Sequence, residues 1–160
     1  NILILPQIET PRGIATIESW DCSNIEFSGI GFGSADYCAS TGGDMGKASL
    51  AYGRGKIINA AALYNTLALD GVWLDFRDPD GCREETLYVK TMGFKGRFAI
   101  HPDQIKPIHD AYRPTIEELE WAKGVLEEAK TAGSGAFKYQ GKMVDAPVLA
   151  VARLIISRED

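Results

Sequence analysis

The sequence predicts an α/β fold built on a parallel sheet. Three observations point there. Four short apolar runs recur along residues 1–112, and each is followed by a stretch with helical spacing. Strand, helix, strand in alternation requires right-handed crossovers and hence parallel pairing. Polar residues close the strands, and in a parallel sheet these all lie at one rim, where α/β proteins place their chemistry.

The opening run Ile2-Leu3-Ile4-Leu5-Pro6-Gln7-Ile8 reads as a strand buried on both faces, ended by Glu9. Thr10 suits the N-cap of the next helix and Pro11 its first turn. That helix is expected over 11–20, with Ile14, Ile17 and Trp20 on one face. Residues 28–34 form a second strand whose glycines suggest close packing or a ligand near the backbone. Asp36 follows it, and 37–48 reads as a Gly-rich polar loop. A long helix is expected over 49–69, with Ile57, Ala61 and Tyr64 spaced for burial. Gly71-Val72-Trp73-Leu74-Asp75-Phe76 is the third strand, turning at 77–81. A helix over 82–92 stops at Gly93. Arg97-Phe98-Ala99-Ile100 is the fourth strand, ending at His101-Pro102, with a short helix over 103–111.

The alternation ends near Tyr112, and Arg113-Pro114 breaks the chain. Two regions are therefore expected, 1–112 and 113–160. In the second, Thr115-Ile116-Glu117-Glu118 is a capping box for a helix to about Ala132, ended by Gly133. Residues 137–144 read as a tight hairpin, and Asp145 caps a last helix over 147–157. The result is a helix–hairpin–helix arm.

The chain has 160 residues, with 45% apolar and 24% charged residues, as in an ordinary globular protein. A net charge of −5 without a Lys/Arg run argues against nucleic acid as a partner. No apolar run approaches the roughly 20 residues of a membrane span. No charged n-region precedes the first strand, so no signal peptide is visible. Cys22, Cys38 and Cys82 are odd in number and widely spaced, which disfavours a zinc site or disulfide framework and makes a reducing cytoplasm the expectation. The sequence does not begin with Met, and an internal piece of a longer chain is expected.

The strand-end residues Glu9, Asp36, Asp75 with Asp78, and His101 are the candidates for chemistry. Glu9 and Asp36 close adjacent strands and can converge. Two carboxylates at one rim repel unless a cation or shared proton relieves them. Oxygen ligands from two side chains, with positions left for water and substrate, suit Mg²⁺. The plainer alternative is that each acid caps the helix after it. For Asp75 and Asp78, the turn Asp78-Pro79-Asp80-Gly81 is explanation enough. Asp145 is satisfied by its N-cap role. Gly42-Gly43-Asp44-Met45-Gly46-Lys47-Ala48 fails as a phosphate loop, because Thr41 stands where glycine is needed and Ala48 where Ser or Thr is needed. No GxGxxG opens a helix, so a dinucleotide fold is disfavoured.

Several motifs occur in order: Ile8-Glu9-Thr10-Pro11-Arg12-Gly13, Gly33-Ser34-Ala35-Asp36-Tyr37, Asp75-Phe76-Arg77-Asp78, Gly93-Phe94-Lys95-Gly96 with Ile100-His101-Pro102-Asp103-Gln104-Ile105, and Gly141-Lys142-Met143-Val144-Asp145-Ala146-Pro147. This set resembles the HpcH/HpaI aldolase and citrate lyase β-subunit family, in particular its citryl-, malyl- and citramalyl-CoA lyase branch. The resemblance implies a TIM-type (β/α)8 barrel of which 1–112 is the C-terminal half, about strands five to eight, with 113–160 as a C-terminal arm or lid. It implies Glu9 and Asp36 as Mg²⁺ ligands, with Mn²⁺ as a substitute, and Ala35 flanking the bound oxo-acid through its backbone. Ile100 and His101 would lie near the acyl-CoA end, and Asp145 would be the acid/base residue brought by the arm of a neighbouring subunit. Glu9 would touch the reacting oxygens as well as the metal.

The implied activity is carbon–carbon cleavage of a 3-hydroxyacyl-CoA to acetyl-CoA and a 2-oxo acid. Coenzyme A enters as part of the substrate, and a homo-oligomer, trimer or hexamer, is implied. Two other readings stay open: a malyl-CoA-type thioesterase or CoA-independent aldolase, and an inactive CoA-ester-binding or assembly subunit.

Overall fold

Each strand of the main sheet is two or three residues long and hands the chain to a helix. In the computed structural model, residues 2–22, 25–133 and 135–159 are described. The chain divides into two compact units, Asn1–Tyr112 and Arg113–Asp160.

In the first unit the order along the chain is β1 (Gln7–Ile8), α1 (Pro11–Thr16), β2 (Ile30–Phe32), α2 (Ser34–Thr41), α3 (Lys47–Leu63), β3 (Ala68–Asp70), α4 (Pro79–Met92), β4 (Gly96–Arg97) and α5 (Ile105–Tyr112). A 3₁₀ turn at Ile17–Ser19 extends α1, and another at Pro102–Gln104 leads into α5. The strands lie in the order β1-β2-β3-β4, all parallel, with Ile8 opposite Phe32, Gly31 opposite Leu69 and Asp70 opposite Arg97. One face carries the helices and the core: Ile8, Ile30 and Phe32 pack with Ile14, Leu50 and Ile57. On the other face Phe98 lies across β2. A Cβ on Gly31 would come within 2.5 Å of its ring, so glycine is needed there.

Four expectations are corrected. α2 (Ser34–Thr41) takes in residues 37–41 of the loop expected over 37–48; Tyr37 and Cys38 are buried and Gly42 (φ 75°) ends the helix. Ser, Ala and Thr dominate this segment, so its apolar stripe is too thin to read. The helix expected over 49–69 spans Lys47–Leu63. Asn65 at φ 51° turns the chain, a left-handed position that Asn tolerates. The third strand is therefore Ala68–Asp70, not 71–76, and the later residues form the connection to α4. The opening run is not buried on both faces: Ile2 is 90% and Leu3 77% exposed, although Ile8 is buried. β1 is an edge strand with β2 as its neighbour on one side.

The second unit holds α6 (Ile116–Ala132), the antiparallel pair β5 (Phe137–Tyr139) and β6 (Lys142–Val144), and α7 (Ala146–Ile156). Thr115 and Glu118 form a reciprocal capping box at the start of α6. Gln140 (φ 46°) and Gly141 (φ 79°) make the two-residue turn of the hairpin. Ala122, Val125, Val144 and Ala152 form a small core of its own.

Candidate functional site

Glu9 leaves the end of β1 and lies against Gly33, the residue after β2. A Cβ at Gly33 would collide with the Glu9 side chain, so glycine opens the space that the carboxylate occupies. The amide of Gly33 donates to Ile8 O at 2.8 Å, which locks the two strand ends together. Asp36 stands three residues on, in the first turn of α2, and is exposed. The two carboxylates thus share one corner of the sheet's carboxyl edge.

Neither acid caps a helix. Thr10 caps α1, its hydroxyl accepting from Gly13 N at 3.1 Å, and α2 starts at Gly33 without a side-chain cap. Among the described residues no hydrogen bond or ion pair engages Glu9 or Asp36. The first-turn N–H groups of α2, around Ala35, also lack a side-chain acceptor, and such a helix start favours an anionic group. Hard carboxylate oxygens free of protein donors fit a divalent cation such as Mg²⁺. No group of three His, Cys, Asp or Glu residues able to hold a metal occurs among the described residues. Two protein oxygens would leave the remaining positions to water or substrate.

β3 ends at Asp70 and β4 at Arg97, so Asp75, Asp78 and His101 lie in the connections after the strands rather than at strand ends as expected, and the acids among them are occupied. Asp78 caps α4 by accepting from Gly81 N at 2.9 Å, and Asp75 accepts from Arg77 N at 3.0 Å. Asp145 caps α7 through Val148 N at 3.3 Å, and it is exposed in the second unit. His101 stacks on Phe76, ring centres 4.7 Å apart. Its Nδ1 accepts from Asp103 N at 3.2 Å and also lies 3.4 Å from the Asp103 carboxylate. The bond from Asp103 N caps the 3₁₀ turn. Ile100 beside it is exposed, with its amide donating to Gln104 Oε1 at 2.9 Å.

Sequence reasoning missed a buried charge cluster behind this edge. Asp70 ends β3 and is fully buried. It accepts from Arg54 Nε and Nη2, both at 3.1 Å, and from Arg97 Nη2 at 2.5 Å. Arg54 also reaches Glu85 at 2.8 Å, and Arg97 donates to Gly71 O at 2.9 Å and Thr86 Oγ1 at 3.3 Å. Burial works to depress the Arg54 pKa, but Asp70 and Glu85 together outweigh it and hold the guanidinium charged. The signal was present: Leu50, Arg54, Ile57 and Ala61 share one helical stripe, and a charge on an apolar stripe demands a buried partner. Cys38 and Cys82 are buried thiols pushed up chiefly by desolvation, which makes them poor nucleophiles.

The family model for HpcH/HpaI aldolase/citrate lyase matches residues 1–102, and that for a C–C bond lyase of the TIM-barrel fold matches 55–159. The chain belongs to the HpcH/HpaI aldolase/citrate lyase family. It is 32% identical over 167 residues to mitochondrial citramalyl-CoA lyase of Rattus norvegicus, covering 96% of this chain and 49% of that protein. It is 33% identical over 162 residues to the citrate lyase subunit beta of Escherichia coli K12, covering 98% and 54%. Among solved structures, protein CitE from Mycobacterium tuberculosis, in complex with magnesium, acetoacetate and coenzyme A, superposes with a TM-score of 0.80 at 32% identity. The match covers 99% of this chain and 61% of that one. The chain thus spans about half the length of the curated relatives it matches.

Proposed function

We propose that this chain contributes the later half of a TIM-type (β/α)8 barrel, about strands five to eight, in residues 1–112, and a C-terminal arm in 113–160. The whole protein would be a Mg²⁺-dependent carbon–carbon lyase that cleaves a 3-hydroxyacyl-CoA of the malyl, citramalyl or citryl type to acetyl-CoA and a 2-oxo acid. The observation that carries this reading is the corner of Glu9 and Asp36, two carboxylates that meet no donor among the described residues, in a chain of this family. Relatives solved with magnesium and coenzyme A, or with oxaloacetate and magnesium, support the same ligand chemistry. The exposed apolar run at β1 is consistent with an edge that further strands would cover.

Glu9 and Asp36 would hold the metal through carboxylate oxygens. Mg²⁺ bound there would supply Lewis acidity toward the hydroxyl oxygen that becomes the carbonyl. The Ala35 backbone, with the open first turn of α2, would orient the carboxylate of that acid. Ile100 and His101 would border the acyl-CoA end, His101 held by its stack on Phe76. As the carbon–carbon bond breaks, its electrons move to the thioester α-carbon. The hydroxyl proton leaves to a base and a proton is delivered to that carbon, a role suited to Asp145. Asp145 would act from the arm of a neighbouring subunit in a trimer or hexamer. A cytoplasmic setting is part of this reading; among the described residues no helix is long and apolar enough to cross a membrane.

Incubating the purified full-length protein with citramalyl-, malyl- and citryl-CoA should give Mg²⁺-dependent acetyl-CoA and the matching 2-oxo acid. Asp36→Ala should abolish it. Free CoA with intact hydroxy acid would replace this reading with thioester hydrolysis. Binding of Mg²⁺ and acetyl-CoA without turnover would replace it with an assembly role.

A further inference from the structure

Gly71 follows Asp70 directly at the end of β3, and it joins the buried charge cluster to the start of α2. Its carbonyl accepts from Arg97 Nε at 2.9 Å. Arg97 also binds Asp70, and both side chains are buried. The backbone is thus clamped at Gly71 and at the residue before it. Against it stands Ser34, the first residue of α2. A Cβ on Gly71 would lie 2.0 Å from Ser34 Oγ, 2.7 Å from Ser34 Cβ and 2.9 Å from Phe32 O. Its φ is not positive, so space rather than backbone conformation excludes a side chain. Turning the hydroxyl aside would relieve the first clash and leave the other two, which would force the two segments apart by several tenths of an ångström.

Ser34 is 2% exposed, and its Oγ has no hydrogen-bond partner. It therefore meets Gly71 as volume, not as a donor or acceptor. Asp36 lies two residues on, in the same helical turn, and moves with it. The start of α2 has no side-chain cap, whereas the end of β3 is clamped by Arg97, so α2 is the side that gives way. On the reading of Glu9 and Asp36 as a cation corner, we infer that the contact of Gly71 with Ser34 sets the place of Asp36, which makes both of them positioning residues for the metal. The two common hard cations feel such a shift differently. Mg²⁺ demands near-ideal octahedral geometry at about 2.0–2.1 Å, while Ca²⁺ accepts flexible geometry at about 2.3–2.6 Å. A displaced Asp36 weakens Mg²⁺ and is tolerated by Ca²⁺.

Mn²⁺ followed by water-proton relaxation in the purified full-length protein reports the corner, and Mg²⁺ and Ca²⁺ are titrated in turn to displace it. Gly71→Ala should lower Mg²⁺ affinity by about 10- to 100-fold, the usual cost of disturbing the support of a metal ligand, and Ca²⁺ affinity far less. Loss of folded protein would lower both equally, so the ratio of the two affinities separates positioning from stability. Ser34→Gly empties the same contact and should lower the ratio as well. Combining the two substitutions moves one side chain across the contact and should bring the ratio back toward the parent's. Ser34→Gly and the double variant carry the test if Gly71→Ala alone does not fold. A parental ratio in the single variants overturns the inference, and so does a double variant no better than Ser34→Gly. Asp36→Ala should bind no Mn²⁺. Retained binding there, or none in the parent, would instead remove the cation corner itself, and this positioning role with it.

Discussion

Asp70 and Glu9 each follow an apolar run that ends a strand of the same parallel sheet, yet their carboxylates meet opposite surroundings. Asp70 is fully buried and takes three hydrogen bonds from two arginines. Glu9 is half-buried against Gly33, and among the described residues it meets no donor; neither does Asp36 beside it. A saturated buried acid is part of the fold, because desolvating it is tolerable only when its partners stay in place. An unsatisfied acid at a sheet edge has oxygens to spare for something the chain does not contain.

Exchanging each acid for its amide should break the comparison cleanly. Asp70→Asn leaves Arg97 buried without a carboxylate and Arg54 with Glu85 alone, and should cost about 3–5 kcal/mol in urea unfolding. Asp36→Asn and Glu9→Gln should leave stability within about 0.5 kcal/mol. They should instead lower Mg²⁺-dependent turnover by at least about 10³-fold, the several kcal/mol that a correctly held metal contributes. Loss of stability in Asp36→Asn comparable to that in Asp70→Asn would erase the distinction.

Asp145 sits between the two kinds. It caps α7, a structural duty, and it is proposed as the acid/base residue. Asn is as good an N-cap as Asp, so Asp145→Asn should keep the melting temperature and still lower kcat by about 10²- to 10⁴-fold. Asp145→Ala should lose both. If Asp145→Asn turned over like the parent enzyme, the cap would be the whole role.

How far the sequence could be read follows the same division. The alternation of strand and helix, the capping box at Thr115 and the cap at Asp145 were legible because each rests on a short local pattern. The strand ending at Asp70 was not. The stop after Leu63 is Asn65 in a left-handed turn, with no Gly or Pro to mark it, so Ala68 and Leu69 were absorbed into the helix before them. The error moved the third strand and hid Asp70 together with its arginines, which are joined across 16 and 27 residues. Glu9 and Asp36 could be singled out as candidates because each lies within four residues of a strand end. Their lack of a capping role required coordinates.

Thr115 offers a milder test, confined to the second unit. Its hydroxyl accepts from Glu118 N at 3.1 Å while Thr115 N donates to the Glu118 carboxylate at 2.9 Å. Thr115→Ala should cost about 1 kcal/mol. If the two units unfold separately, differential calorimetry should show the loss in the transition of residues 113–160 alone. A matching shift in the transition that Asp70→Asn affects would mean the units melt as one.

The smallest effect belongs to the exposed counterpart of the Asp70 cluster. Glu18 pairs with Lys56, and Asn59 Nδ2 donates to its other oxygen at 2.6 Å. The hydrogen bond from Lys56, then that from Asn59, hold Glu18 below its ordinary 4.5, and the same pairing raises Lys56 above its ordinary 10.5. For a depressed acid, the stabilisation is complete above 4.5 and disappears as the pH falls through the lowered value. For a raised base, it is complete below 10.5 and disappears as the pH climbs through the raised one. The stability gap between the parent protein and Lys56→Gln should therefore form a plateau between those limits and close at both ends. It should also shrink in high salt, because this pair is open to solvent where the Arg54–Asp70 pair is not. Urea midpoints across the pH range, at low and high salt, measure it. A gap indifferent to both would mean that Lys56 acts through the packing of its aliphatic stem, not its charge.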